Sequence, residues 1–189
     1  RVTFPSGPHN SLGGAMLLPG LGDAIVVDIG GTTSDIGVLQ GGFPRESNSV
    51  IEVGGVRTNF RMPDIQAIGL GGGSLVSPDG KTIGPQSVGH RLTTEGLVFG
   101  GATLTATDIV VASGHQAIGD PQAVSHVPAE LVETARLNML DILDRGIDMM
   151  KPGAVQMPVI LVGGGSVLVT GDLKAAREVH RPEHAGVAN

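Results

Sequence analysis

The chain has 189 residues, of which 40% are hydrophobic, and a formal net charge of −6 at pH 7, which suits a single globular domain or lobe. An acidic chain with 2% aromatic residues and neither Trp nor Tyr lacks the basic surface and stacking side chains of nucleic-acid-binding proteins. The absence of Cys excludes disulfides, thiolate metal sites and a cysteine nucleophile, and no apolar run approaches the roughly 20 residues of a membrane span.

The first elements predicted along the chain are a short helix at residues 11–18 and a β-hairpin at residues 24–39. The β-branched run at residues 25–27 is typical of a buried strand, and a second apolar strand resumes at Ile36. The hairpin therefore needs a tight turn between these two strands.

The turn of this hairpin combines glycines with hydroxyl and carboxylate side chains. Gly30 and Gly31 tolerate positive φ and leave no Cβ between the backbone and a ligand. Asp28 closes the first strand and Asp35 opens the second, and the hydroxyl residues between them are Thr32, Thr33 and Ser34. Backbone N–H groups in such a turn can bind an anion, and two nearby carboxylates can hold a hydrated Mg²⁺. The residues alone leave two interpretations open: a phosphate-and-metal loop, or an ordinary glycine hairpin with solvated aspartates.

Glycine pairs and triplets divide the next part of the chain into short strands. The predicted elements are a strand near residues 47–53, a loop at 59–63, a strand at 64–70 and two short strands that flank a turn at 78–80. Residues 84–101 follow no regular pattern. Thr105 or Thr107 is expected to cap a short helix that runs through Ile109.

The strongest helical pattern covers residues 128–151, where apolar residues recur at three- and four-residue spacing. This stripe consists of Val132, Ala135, Met139, Leu143, Ile147 and Met150. Met149 and Met150 are both interpreted as core residues. The elements predicted after this helix are a buried strand at 158–162, a glycine loop at 163–166, a helical turn at 172–176, a strand at 178–180 and a helix from Pro182. Strands combined with a long helix predict an α/β fold, a mixed sheet with flanking helices.

Several functional motifs are incomplete or absent. Residues 69–74 miss the dinucleotide-binding fingerprint because Ser74 replaces its last glycine. Residues 80–82 resemble the end of a P-loop, but Leu75 stands where that motif requires glycine, so Lys81 is interpreted as a turn lysine. The six His residues have no metal-ligand spacing, and no Gly-x-Ser-x-Gly elbow of a serine hydrolase occurs.

Two glycine loops remain as the candidate site. The first is bounded by Asp28 and Asp35, and the second is the run at residues 163–166. Each loop follows an apolar strand, and a long amphipathic helix precedes the second strand. Two such loops favour a ligand-binding site more strongly than either loop alone.

These loops carry a resemblance to a known superfamily. Residues 27–38 resemble the second phosphate loop of the actin-like ATPases, and residues 159–166 resemble their adenosine motif, in the same order and spacing. More narrowly, the chain resembles the A subunit of ATP-dependent hydantoinases and oxoprolinases. The further segments that carry this resemblance are residues 6–8, 52–64, 68–74, 84–89, 99–108 and 181–184. The resemblance covers nearly the whole chain and implies an actin-like ATPase (ribonuclease H-like) lobe.

The resemblance also implies a role for each residue of the two loops. The residues expected to bind the β- and γ-phosphates of ATP are Gly30, Gly31, Thr32 and Thr33. Asp28 and Asp35 would be the catalytic carboxylates that hold Mg²⁺ through water. The residues expected to bind adenosine are Gly163, Gly164, Gly165 and Ser166. Substrate contact and a structural role both stay open for Arg57, Arg61, Asp64, His90, Asp108 and the loop at 71–74.

The family uses ATP to open cyclic amides such as 5-oxoproline or hydantoins, by phosphorylating the amide oxygen. Residues 1–189 would then be the second lobe of a larger A subunit, a fragment without the phosphate loop of the first lobe, because no second Asp-x-Gly-Gly-Thr occurs. We therefore expect the isolated chain to be inactive and to bind ATP weakly or not at all.

The expected partners are the missing first lobe, a hydantoinase B-type subunit or region, and a small cyclic amide, without nucleic acid or a membrane. The expected location is the cytoplasm. Two other interpretations within the superfamily stay open. One is a sugar or acyl kinase, and the other is an actin- or chaperone-like module that uses ATP for conformational switching.

Overall fold

A computed structural model describes residues 22–47 and 63–182 of the protein, together with the backbone of two short strands between these ranges. The helix predicted at residues 11–18, most of the loop predicted at 59–63 and the helix predicted after Pro182 lie outside the described residues. In the ranges described, no helix combines the length and the apolar character that crossing a membrane requires.

Strands precede the long helix in the chain, and two further strands follow it. The strands are β1 (Ala24–Ile29), β2 (Ser34–Gln40), β3 (Phe43–Pro44), β4 (Ile51–Val53), β5 (Val56–Thr58), β6 (Ile65–Ile68), β7 (Ser74–Val76), β8 (Ile83–Ser87), β9 (Met157–Val162) and β10 (Ala176–His180). The α-helices are α1 (Leu92–Glu95), α2 (Ala106–Ala112) and α3 (Ala129–Met150). Short 3₁₀ turns occupy Gly89–Arg91, Leu97–Phe99, Pro121–Val124 and Gly164–Leu168.

The main sheet is mixed. Its order is β10–β9–β1–β2, and both β3 and β6 pair with the remaining edge of β2. β1, β9 and β10 run parallel, whereas β2 is antiparallel to β1. β4 with β5 and β7 with β8 form two separate antiparallel pairs. This arrangement confirms the predicted α/β class with a mixed sheet and flanking helices.

α3 covers one face of the sheet with the apolar stripe predicted from its sequence. The fully buried residues of this stripe are Ala135, Met139, Leu143 and Ile147. They share one core cluster with Ile25 and Val27 of β1. The helix approaches β2 closely, because a Cβ on Gly146 would lie 2.6 Å from Ile36 Cδ1. The helix predicted at residues 128–151 is thereby confirmed.

The opposite face of the sheet carries a smaller core and two carboxylates. Val26 and Ile160 are buried in this second cluster. Because side chains alternate along a strand, Asp28 lies on the same face as Val26 and away from α3. Asp35 is opposite Asp28 in the register of β1 and β2 and shares that face.

The predicted hairpins are largely confirmed. β1 and β2 form the hairpin predicted at residues 24–39, and β6 falls within the strand predicted at 64–70. β7 and β8 flank the predicted turn at 78–80, in which Asp79 Oδ1 accepts from the Lys81 amide at 3.0 Å. β7, and not a helix, follows the glycines at 71–73, which agrees with rejection of the dinucleotide fingerprint.

Most differences from the prediction concern short elements. β3 starts directly after the glycine turn at 41–42, earlier than the strand predicted near 47–53, within which β4 lies. Residues 84–101 contain most of β8, α1 and two 3₁₀ turns. Residues 172–176 form a turn into β10 rather than a helical turn. Met149 is 66% exposed, so its interpretation as a core residue is wrong, because it lies off the stripe that contains the buried Met150.

Candidate functional site

The loop of the β1–β2 hairpin occupies residues 30–33. The Gly30 amide donates to the Thr33 carbonyl at 2.9 Å and closes the loop. Residues 31–33 are exposed at its tip. Within the described chain, their backbone amides donate to no backbone acceptor. The loop thus has three backbone donors without a backbone acceptor among the described residues, which is the property that lets a turn bind an anion.

Two carboxylates stand at the base of this loop. Asp28 and Asp35 are opposite each other across β1 and β2, and both are half-buried. Burial, followed by the negative charge of Asp28, raises the pKa of the Asp35 carboxyl above its usual value. Opposed carboxylates repel each other, so their arrangement favours a bound proton or cation near the pair.

The second predicted loop packs directly onto the first. β1 and β9 are parallel neighbours, with Asp28 paired to Val162, so the loop after β9 leaves the sheet beside the hairpin loop. Gly163 has φ +83°, and a Cβ on it would collide with Asp28 Oδ1 and the Ile29 carbonyl. A Cβ on Gly165 would lie 2.8 Å from the Gly30 carbonyl oxygen. The structure thus brings the two predicted loops together.

Gly164 and Ser166 occupy different positions in this second loop. Gly164 is exposed, and a Cβ on it would have no atom within 4 Å. The Ser166 amide donates to the Gly163 carbonyl at 3.1 Å, which starts the 3₁₀ turn. The backbone of Gly164 is therefore the part of the loop most open to a ligand.

A third glycine loop, at residues 71–73, supports the hairpin loop from behind. The Gly72 amide donates to the Gly30 carbonyl at 3.0 Å, and the Gly73 amide donates to the Gly31 carbonyl at 2.7 Å. A Cβ on Gly71 would lie 2.6 Å from the Thr32 amide nitrogen. All three glycines of this loop are buried. The sequence left open whether this loop belongs to a cleft or only turns a strand, and its contacts are those of a support.

A buried polar network holds this supporting loop in turn. The Thr107 amide and hydroxyl both donate to the Gly72 carbonyl, at 3.0 and 2.9 Å. Asp108 Oδ2 accepts from the Thr105 amide and hydroxyl, both at 2.7 Å, and its Oδ1 accepts from the Val98 amide at 2.8 Å. Asp108 is fully buried, so its predicted alternative as a structural cap is confirmed. Thr105 is the N-cap of α2, which confirms one of the two caps that the sequence predicted.

Sequence reasoning missed the supporting role of Thr107 and Ser87. The Ser87 hydroxyl donates to the Gly31 carbonyl at 3.3 Å and accepts from the Gly89 amide at 3.0 Å. Both residues fall in segments that carried the family resemblance, which is the signal that could have drawn attention to them. No local pattern predicts such contacts, because they join residues far apart in the chain.

Asp64 and His90 are the remaining candidates whose side chains the structure describes. Asp64 forms an ion pair with Arg45 at 2.8 Å, which supports its structural alternative. His90 is exposed. The side chains of Arg57 and Arg61 lie outside the described residues.

The residues present can be compared with what Mg²⁺ needs. In the described part of the chain, no group of three or more His, Asp or Glu side chains converges as a metal site. Mg²⁺ usually keeps several waters and binds through one or two carboxylates, so it does not require such a group. Asp28 and Asp35 therefore fit a water-mediated Mg²⁺, and a cation there would oppose the burial and the Asp28 charge that raise the pKa of Asp35.

The sheet order defines the class of fold. The parallel strands β1, β9 and β10, with antiparallel β2 beside β1, form a mixed sheet of the actin-like ATPase fold type. The family model for hydantoinase/oxoprolinase matches residues 1–117, more than half of the chain. The chain belongs to the hydantoinase/oxoprolinase family.

Two solved structures have a similar fold. One is an ATP-dependent caprolactamase from Pseudomonas jessenii, with a TM-score of 0.64 and 23% identity over 95% of this chain and 31% of that chain. The other is nucleotide-free acetone carboxylase, with a TM-score of 0.64 and 20% identity over 92% of this chain and 29% of that chain. This chain thus spans about three tenths of the length of either structure. Among curated proteins, none matches the chain.

We predict that Gly165→Ala lowers the free energy of unfolding by about 1–3 kcal/mol, the usual cost of overpacking. The added methyl would lie 2.5 Å from Ile29 Cγ2 and 2.8 Å from the Gly30 carbonyl oxygen. Gly164→Ala is the matched control, because its methyl would meet no atom within 4 Å. Urea denaturation of both variants measures the difference. Equal losses of stability would show that the close approach of the two loops is not the constraint.

We predict that Asp35→Asn raises the free energy of unfolding at neutral pH by up to about 1 kcal/mol, the small effect expected of a half-exposed charge. The folded-state pKa of Asp35 lies above its unfolded value of 3.8, so the folded state binds more protons between these two values. Stability therefore falls as pH rises through this window, and the Asn variant should lack that fall. Urea denaturation across this pH range tests the prediction.

Asp79→Asn provides a comparison of opposite sign. The hydrogen bond from the Ser77 hydroxyl, and then that from the Lys81 amide, lowers the pKa of Asp79. The stabilisation from the Asp79 carboxylate is fully present above pH 3.8 and is lost as the pH falls through the lowered pKa. Asp79→Asn should therefore be less stable than wild type at neutral pH. A loss of stability in both variants would mean that the charge of Asp35 is favourable in the folded protein.

Proposed function

We propose that this chain is the nucleotide-binding lobe of an ATP-dependent hydrolase that opens cyclic amides of the hydantoin or 5-oxoproline type. The observation that carries the proposal is the packing of the Gly163–Gly165 backbone onto Asp28, Ile29 and Gly30. In open α/β sheets, ligands bind outside the carboxyl ends of the strands, which is where these loops meet. Membership of the hydantoinase/oxoprolinase family directs the choice of substrate towards cyclic amides.

In this proposal, the hairpin loop binds the β- and γ-phosphates of ATP. The backbone amides of residues 31–33 would supply donors, and the hydroxyls of Thr32 and Thr33 would supply more. The support from Gly72 and Gly73 keeps the loop in one conformation, which lowers the entropy that binding must cost.

Asp28 and Asp35 would hold Mg²⁺ through water on the same side of the loop. Their half-buried, mutually repelling carboxylates gain from a bound cation. When bound, Mg²⁺ would neutralise charge on the phosphates of ATP. The same carboxylates would act in catalysis by keeping the nucleotide and its cation in one orientation.

The loop after β9 would bind adenosine. Gly163 and Gly165 face the hairpin loop, whereas Gly164 is open to solvent. A backbone without Cβ atoms can lie close to a flat ring or a ribose. Ser166 lies in the middle of the 3₁₀ turn Gly164–Leu168 and would complete the adenosine site.

The reaction would start with transfer of the γ-phosphoryl group of ATP to the amide oxygen of the substrate. A first water then adds to the activated carbon, and cleavage of the C–N bond releases the ring amine and leaves an acyl phosphate. A second water hydrolyses this acyl phosphate to the carboxylate and free phosphate, which completes the ring opening. The proposal includes a first lobe with its own phosphate loop and a B-type subunit or region, since this chain spans about three tenths of the similar structures.

A substrate panel tests the proposal. The full-length protein that contains this chain is purified with its B-type partner, and phosphate release from ATP is measured with hydantoin, 5-oxoproline and caprolactam. We expect at least one cyclic amide to stimulate release and to appear as its ring-opened product. Stimulation only by a sugar would favour a kinase, and stimulation only by a partner protein would favour a switching module. Either result would contradict the proposal.

We predict that Asp28→Ala lowers Mg²⁺-dependent ATP turnover of the full-length protein to below about 1% of wild type. The reason is that the substitution removes a carboxylate proposed to hold Mg²⁺ and orient the phosphates of ATP. The fold should persist, since Asp28 lies at the end of β1 and outside the two apolar clusters. Circular dichroism and turnover are measured on the same sample. Asp148→Ala is the control, because that side chain is 74% exposed on α3. Unchanged turnover in Asp28→Ala would remove Asp28 from the mechanism.

A further inference from the structure

We propose that Arg181 is a positioning residue that holds the Gly163–Gly165 loop in its nucleotide-binding conformation. This inference rests on the proposed function, because it assigns a role within the same adenosine site. Arg181 does not belong to either of the two loops. It lies in a segment that carries the family resemblance, but the sequence alone assigned it no role.

The fold places Arg181 at the edge of the sheet where the glycine loop begins. β10 is parallel to β9, and His180 pairs with Ile160 in their register. Arg181 follows His180 directly, so it leaves β10 near the carboxyl end of β9. The loop at residues 163–165 starts from that same end of β9.

One guanidinium group binds two backbone carbonyls of the turn behind the loop. Arg181 Nη1 donates to the Ser166 carbonyl at 2.9 Å, and Nη2 donates to the Val169 carbonyl at 2.6 Å. The Ser166 carbonyl also accepts from the Val169 amide at 3.2 Å, whereas the Val169 carbonyl lies just past the 3₁₀ turn, so the guanidinium binds the end of this turn at two successive points. The planar guanidinium suits this task, because its donors are fixed in one fork.

The contacts of Arg181 complete the enclosure of the loop. On one side, Gly163 and Gly165 lie against Asp28, Ile29 and Gly30. On the other side, Arg181 fixes the turn into which the loop runs. Both terminal nitrogens of the Arg181 guanidinium are used in these carbonyl contacts. The exposed Gly164 backbone is thereby held in place from both ends.

A loop fixed before binding loses less conformational entropy when a nucleotide arrives. Loss of the two hydrogen bonds should therefore weaken ATP binding without slowing the chemical step. This expectation corresponds to a raised KM for ATP with an unchanged kcat, the pattern of lost ground-state binding.

The experiment compares Arg181→Met, Arg181→Lys and Arg177→Met in the full-length protein. Arg177 is the control, because it lies in β10, the strand that ends directly before Arg181, is 61% exposed and pairs only locally with Glu178 among the described residues. We expect Arg181→Met to raise the KM for ATP about tenfold with kcat within about twofold of wild type. Arg181→Lys keeps the positive charge but loses the paired guanidinium donors, so its KM for ATP should lie between that of wild type and that of Arg181→Met. Arg177→Met should match wild type.

Amide hydrogen exchange supplies a readout that does not depend on ATP. Val169 donates its amide to the Ser166 carbonyl, which also accepts from Arg181. Exchange at Val169 should be at least about fivefold faster in Arg181→Met, while amides of β1 keep their protection as evidence of an intact fold. Arg177→Met should leave the exchange at Val169 unchanged.

The possible results separate this inference from the proposed function. If wild type neither binds ATP nor releases phosphate, the proposed function fails and the positioning role fails with it. If wild type is active and the KM for ATP of Arg181→Met stays within about twofold, only the positioning role is overturned. An equal rise of KM in Arg177→Met, or a lower kcat with unchanged KM in Arg181→Met, would also overturn it, because either result indicates a general structural effect.

Discussion

The candidate site depends on one close approach between two backbones. The loop after β9 lies so near the end of β1 that neither Gly163 nor Gly165 has room for a Cβ. The parallel pairing of β1 with β9 makes this approach possible, because it brings the carboxyl ends of both strands to one edge of the sheet. α3 covers the other face and fixes β2 at Gly146. The fold thereby joins two loops that are far apart in sequence, and larger side chains would separate them.

A second constraint acts from behind the hairpin loop. Thr107 donates to Gly72, and Gly72 donates to Gly30, so a continuous series of hydrogen bonds links α2 to the loop. Thr107 and Gly72 are buried, and a buried carbonyl without a donor costs about 1–3 kcal/mol. The network therefore specifies the position of the loop as well as stabilising it. This explains why the glycines at 71–73, which bind nothing in the proposed function, lie beside the site.

The sequence predicted those elements whose buried residues form a regular apolar pattern along their own length. The stripe of α3 and the apolar runs of β1 and β9 are long enough for this signal, and the structure confirms them. β3 and α1 have two and four residues, and tertiary contacts decide whether such short segments are regular. The two site loops were found from glycine content at strand ends. Arg181 and Thr107 were not assigned a role in the site, because each acts through hydrogen bonds to residues distant in the chain.

The charges at the site limit how the proposed function can work. Asp28 and Asp35 oppose each other below a loop that would receive the phosphates of ATP. Burial, followed by the charge of Asp28, raises the pKa of Asp35, so a negative charge on this carboxyl is already disfavoured. Phosphates brought to such a site would add repulsion unless a cation arrived with them. In the proposed function, nucleotide and Mg²⁺ therefore bind as a pair, and the loop amides alone would not retain ATP. A first lobe with its own donors would supply the remaining attraction, so the carboxylate pair would make ATP binding depend on both a cation and closure of the two lobes.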